Sequence, residues 1–117
     1  MKKIMLLAVA TNELIAGCMN TEIPEGITSI GSLAFAGCSE LTKLNIPQSV
    51  TFIHENALQG CLGLMVIESD AAVPPEFDGD LFADVDTDSC ELYVPKGSKE
   101  AYQKASGWKE FKIIIER

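Results

Sequence analysis

Ile23-Pro24-Glu25-Gly26-Ile27-Thr28-Ser29-Ile30-Gly31-Ser32-Leu33-Ala34-Phe35-Ala36-Gly37-Cys38-Ser39-Glu40-Leu41-Thr42-Lys43-Leu44-Asn45 is one unit of a repeat, and the next 23 residues are a second copy. Shifted by 23, Ile23 falls on Ile46, Pro24 on Pro47, Thr28 on Thr51 and Ile30 on Ile53. Ala34 falls on Ala57, Gly37 on Gly60, Cys38 on Cys61 and Leu41 on Leu64, with no gap. Ile27/Val50, Phe35/Leu58 and Leu44/Ile67 exchange one apolar residue for another.

This spacing predicts a unit that cannot bury its own apolar side. Leu41 to Pro47 reads as a short L-x-x-L-x-I strand, ended where Pro47 has no N–H to give a ladder. Ile27-Thr28-Ser29-Ile30 reads as a second short strand, from its β-branched residues. Gly31 permits a turn, Ala34-Phe35 reads as one helical turn, and Gly37 supplies a positive φ to end it. Stacked units would line up columns of Ile, Leu, Phe and Cys into one continuous core.

The phrase Ile-Pro-x-x-Ile/Val-Thr-x-Ile-x-x-x-Ala-Phe/Leu-x-Gly-Cys-x-x-Leu over 23–68 resembles the BspA-type leucine-rich repeat, found in surface and secreted proteins of gut and oral bacteria. The resemblance implies an α/β, β-dominated, right-handed leucine-rich-repeat solenoid with short helical turns and a helix-containing C-terminal cap. It implies an extracellular or cell-surface location, adhesion or protein binding, and no catalysis.

The chain's 117 residues are the length of one domain. Within it, 1–22 precede the repeats, 23–68 are two repeats, 69–90 an irregular partial repeat and 91–117 a C-terminal cap. Two readings of 1–22 stand. Met1-Lys2-Lys3, the apolar 4–10 and Ile15-Ala16-Gly17-Cys18 resemble a lipoprotein signal that would anchor the chain at Cys18. Thr11-Asn12-Glu13 interrupts the apolar run, however, and favours two strands, 4–10 and 13–17, forming an N-terminal cap with Cys18 as a packed thiol. No stretch reaches the roughly 18–20 apolar residues of a membrane span.

In the C-terminal third, Ala72-Val73-Pro74-Pro75 is similar to the Ile-Pro corner and Leu81-Phe82 to Ala34-Phe35. Glu91-Leu92-Tyr93-Val94-Pro95 reads as a strand and corner. Ser98 is a candidate N-cap for a helix to about Ala105, which Gly107 stops. Trp108 is expected to plug the end of the core, which would otherwise present an apolar layer and an unpaired edge.

Little in the sequence points to chemistry. A formal net charge of −8 argues against nucleic acid and anionic membranes. The four cysteines, Cys18, Cys38, Cys61 and Cys90, form no C-x-x-C, so no metal site is expected. Cys38 and Cys61 share a repeat position and read as stacked buried thiols, with a disulfide as the alternative. Asp84-x-Asp86-x-Asp88 starts like a calcium loop but meets Ser89 and Pro95 where glycine and glutamate belong, so it reads as a solvated acidic loop. His54 replaces Gly31 at a turn and is expected to be exposed. No phosphate loop, nucleophile elbow or cofactor motif is present.

What remains is a patch. Between the repeats Ser29 becomes Phe52, Ser39 becomes Leu62, Thr42 becomes Met65 and Lys43 becomes Val66. Either 69–90 folds over these side chains or they mark a protein-binding face, rimmed by Thr42, Lys43, Asn45 and Glu68, with self-association through Met65 and Val66 as one use. The functions weighed are an adhesion or interaction module, a terminal structural piece of a longer array, a lipid-anchored surface protein and, least, a metal-dependent enzyme using the Asp loop.

Overall fold

The computed structural model describes residues 23 and 25–117, together with the backbone of Leu7–Ala8 and Glu13–Ile15. Strands dominate it, in two sheets whose pairing is parallel except at one hairpin. The first sheet runs β1 (Leu7–Ala8), β2 (Glu13–Ile15), β3 (Ser29–Ile30), β5 (Phe52–Ile53) and β7 (Glu76–Phe77). The second runs β4 (Lys43–Ile46), β6 (Val66–Ser69), β8 (Glu91–Val94) and β9 (Ile113–Glu116). One α-helix, α1 (Lys99–Lys104), and a 3-10 turn, Trp108–Glu110, lie between β8 and β9.

The repeat shift read from the sequence is the pairing register. Ser29 pairs with Phe52, Lys43 with Val66 and Leu44 with Ile67. Parallel strands need a crossover of a dozen residues or more, and the remainder of each repeat supplies it. Leu44, Ile67, Leu92 and Ile114 form one buried column, and Ile30 and Ile53 another. Burying each such side chain contributes about 1.5–3 kcal/mol.

The Ala34-Phe35 segment is a run of turns rather than a helix. Ala34 N–H donates to Gly31 O, Ala36 to Leu33 O and Cys38 to Phe35 O. Leu33 (φ 64°) and Asn56 (φ 62°), at the same repeat position, sit in the left-handed region and break helical continuity. Gly37 has the expected positive φ, 76°, and Gly60 matches it at 79°. A Cβ on Gly60 would come within 3.2 Å of Gly37 backbone. Glycine therefore lets the two turns stack backbone on backbone.

The segment 69–90, read as an irregular partial repeat, contributes to a third layer. Phe52 pairs with Glu76 and Val66 with Glu91, each a longer step along the chain than the step between the two regular repeats. The turn bonds repeat as well: Cys61 N–H donates to Leu58 O and Val85 N–H to Phe82 O, as Cys38 does to Phe35 O. Extra residues break the sequence register without breaking the stack. The strands expected over 4–10 and 13–17 appear at Leu7–Ala8 and Glu13–Ile15, paired antiparallel, with β2 joined to β3 in parallel.

Trp108 is 1% exposed and donates Nε1–H to Pro75 O at 2.8 Å. Phe77, Phe82 and Tyr102 meet its ring edge to face at 6.2, 5.0 and 5.2 Å, and Phe111 stacks at 6.3 Å. Ser98 does occupy the N-cap position of α1 but does not cap it with its side chain. Its hydroxyl donates to Pro95 O at 2.6 Å instead.

The cysteines divide. Cys61 and Cys90 are buried free thiols, and Cys61 Sγ–H donates to Phe35 O. Cys38 is disulfide-bonded, which corrects the expectation of a free stacked thiol. Its partner is neither Cys61 nor Cys90; Cys18 lies outside the described residues.

Candidate functional site

The second sheet turns alternate side chains inward and outward, as a pleated strand must. Its outward rows are Lys43 and Asn45 on β4, Val66 and Glu68 on β6, Glu91 and Tyr93 on β8, and Ile113 and Ile115 on β9. Lys43 Nζ lies 3.2 Å from Glu68 Oε2, and Arg117 Nη1 lies 3.1 Å from the same oxygen. The other guanidinium nitrogen of Arg117 reaches Asp70 Oδ1 at 3.0 Å. Asn45 Nδ2 donates to Asp70 Oδ2 at 3.3 Å. Tyr93 OH donates to Glu91 Oε1 at 2.9 Å, and this bond, with the Glu91 charge, raises the Tyr93 pKa. Glu68 is thus the hub of a cross-strand ionic lattice.

Beside that lattice stand two bare apolar side chains. Met65, which leads into β6, is 63% exposed, and Leu62, in the turn before it, is 71% exposed. The segment 69–90 does not cover them. Val66 is half-buried in the row between Lys43 and Glu91. Thr42 is exposed, and its carbonyl accepts the N–H groups of both Met65 and Val66, at 2.8 and 3.0 Å. The structure therefore gathers Thr42, Lys43, Asn45, Met65, Val66 and Glu68 on or beside adjacent strands, with Leu62 in the preceding turn.

Phe52 does not join them. It lies on β5, in the other sheet, half-buried, its ring 4.9 Å from His54 in an edge-on contact. It lines a groove of about 600 Å³ with Val73, Pro74 and Pro75. His54 is half-buried rather than exposed, with its N–H bonded to Ile30 O at 2.9 Å. It continues the ladder where Gly31 stood one repeat earlier.

Glu91, Tyr93, Ile113, Ile115, Asp70 and Arg117 are parts of the outward face that the sequence reading missed. The constant shift of the regular repeats does not lead from Glu68 to Tyr93, and nothing local ties Arg117 to Glu68, so far back along the chain.

The described residues offer little reactive chemistry. No group of three or more His, Cys, Asp or Glu among them could hold a metal ion. Burial pushes the Cys90 thiol up to about 11, helped by the Asp86 and Glu91 charges, and raises Cys61 too. Neither is a ready nucleophile. Asp86 is held below its usual range by hydrogen bonds from the Ser89 side chain and the Asp88 backbone. Asp84 accepts the Gly60 N–H at 2.7 Å, so its carboxylate fastens the loop to the second repeat. No helix among the described residues is long and apolar enough to cross a membrane.

Among curated proteins, none matches this chain. Residues 15–85, more than half of it, match the family described as BspA type Leucine rich repeat region (6 copies). The constant register between the repeats, the stacked glycine turns and this match agree, and the chain belongs to the BspA-type leucine-rich repeat family.

Proposed function

We propose that this chain is a non-catalytic protein-binding module of a bacterial surface or secreted protein, used in adhesion. Leucine-rich repeats of this type form a non-enzymatic family suited to protein interaction. In this reading the parallel layers wind as a right-handed solenoid, and 1–117 is a single domain. Residues 1–22 and 91–117 are its caps.

The observation that carries the reading is the exposure of Leu62 and Met65 beside the ion-paired face of the second sheet. Apolar side chains ringed by fixed polar partners are the usual anatomy of an interface: a few anchors bind and the rim excludes water. Leu62, Met65 and Val66 are the anchors; Thr42, Lys43, Asn45 and Glu68 are the rim. Phe52, on the other sheet, is a separate contact point. The Cys38 disulfide supports an oxidising compartment.

The test is Leu62→Lys with Met65→Lys, two exposed positions where the change leaves the core intact. Binding to a panel of immobilised extracellular-matrix and bacterial surface proteins should fall at least about tenfold while the melting temperature holds. Undiminished binding by a folded variant would refute the site. A large loss of stability would show that the two side chains belong to the core.

A further inference from the structure

The second sheet ends at β9, which pairs with β8 on one side and with no strand on the other among the described residues. Arg117 N–H donates to Val94 O. Main-chain groups alternate along a strand, so Ile113 and Ile115 bond to β8, while Ile114 and Glu116 aim N–H and C=O at the open side. The edge reads Lys112-Ile113-Ile114-Ile115-Glu116: exposed charges of opposite sign flanking three isoleucines, the outer two half-buried.

Charged ends ordinarily guard an edge against stray strands. Here the pattern is complementary to itself run backwards. About a two-fold axis through Ile114, Lys112 lies opposite Glu116 of a second copy, and Ile113 opposite its Ile115. Ile114 then exchanges both main-chain bonds with its counterpart, and Glu116 N–H meets the Lys112 carbonyl. Parallel pairing would instead set Lys112 against Lys112 and Glu116 against Glu116, which is unfavourable. The axis closes the assembly at two copies.

We propose that β9 is a self-recognition edge, through which two copies of this chain join antiparallel and merge their second sheets into one. This surface is distinct from the Leu62 and Met65 patch.

Sedimentation of the full chain over a concentration series, with charge variants, tests it. Wild type should dimerise. Lys112→Glu and Glu116→Lys should each weaken the dimer by about tenfold, since each sets like charges opposite one another twice. Mixing the two variants should restore dimer as a heterodimer, and the double swap Lys112→Glu/Glu116→Lys should restore it as a homodimer. Lys112→Glu leaves untouched the bond from Lys99 N–H to Glu116 Oε2, so a folding defect confined to Glu116→Lys would not confuse the result. A wild type that stays monomeric overturns the proposal. So does a dimer that survives both single reversals, or one lost in both and not regained on mixing.

Discussion

The two regular repeats, 23–68, and the C-terminal third, 69–117, build successive layers of the same stack by different means. In the first region like sits on like: Ile30 on Ile53, Leu44 on Ile67, Gly37 on Gly60. In the second the layers continue, but unlike residues fill the columns. Leu81 follows Ala57, Val85 follows Cys61, and Ser69 stands in line between Ile46 and Val94. Repetition suits a layer with a similar neighbour on each side. The C-terminal layers instead close over the Trp108 aromatic cluster, whose side chains differ in shape from those of the regular columns.

If closure depends on these unlike residues, truncation after Val94 should have the largest effect. It removes α1, the Trp108 cluster and β9, and it exposes Leu81, Phe82 and Leu92. The expected product has no cooperative thermal transition and aggregates. A soluble, cooperatively melting fragment would show that the regular layers are self-sufficient.

Within the C-terminal third, Trp108→Ala should cost about 3–5 kcal/mol in chemical denaturation. It empties the centre of an aromatic cluster and orphans the Pro75 carbonyl. Gly107 sharpens the point: a Cβ there would fall 2.0 Å from the Phe77 ring, at a φ of 82°. Gly107→Ala should therefore also destabilise, although it deletes nothing.

This difference between regions explains what could be read from the sequence. Register, columns and glycine turns over 23–68 follow from a constant shift, and that shift is a physical pairing distance. The third layer was legible only in part: the strand from Glu91 and the Leu81-Phe82 turn could be read from their own residues, but the strand at Glu76 falls beyond the position a constant shift points to. Trp108 was legible as a core residue because a lone large aromatic after the last repeat has few other places to go. Its partners Pro75 and Phe77 were not, since they belong to the segment with lost register. The apolar substitutions at Leu62 and Met65 were visible by comparing the repeats. The ionic lattice around Glu68 was only half visible: Lys43 sits on the neighbouring strand within the two regular layers, and Arg117 lies beyond the break.

Ser69 gives an intermediate effect. Its hydroxyl lies 2.7 Å from Tyr102 OH, which donates its own proton to Ala71 O at 2.6 Å. Ser69 is therefore the donor to the phenol oxygen. Tyr102→Phe should cost about 1–3 kcal/mol by stranding a buried hydroxyl and a buried carbonyl. Adding Ser69→Val removes the stranded hydroxyl, so the double variant should lose less than the sum of the singles. The same phenol sets a pH dependence. Burial pushes Tyr102 up to about 12 from 10.0, and Cys90 up to about 11 from 9.0. Both groups hold their protons more tightly in the folded chain. Their contribution is complete below pH 9 and declines as pH rises to about 12. Tyr102→Phe should remove the Tyr102 part of that decline, leaving the part that ends near 11. A wild type with flat stability from pH 9 to 12 would contradict the buried phenol.

The smallest effect concerns the join between the two regions. Gly37 N–H donates to the Gln59 carbonyl, backbone to backbone, across the first pair of layers. Gly60 N–H, at the equivalent position, donates instead to Asp84 Oδ2 at 2.7 Å. A side-chain carboxylate thus stands in for a peptide carbonyl where the register slips. Asp84→Ala should cost about 1 kcal/mol, because the bond is charge-assisted but solvent-exposed. Asp84→Asn keeps an acceptor and should lose less. The measurement is the shift in denaturation midpoint at unchanged slope, repeated with calcium. If Asp84 is a fastener, calcium moves neither variant relative to wild type. If calcium raises the wild-type midpoint and Asp84→Ala abolishes that rise, the carboxylate is a metal ligand and the structural account of this join fails.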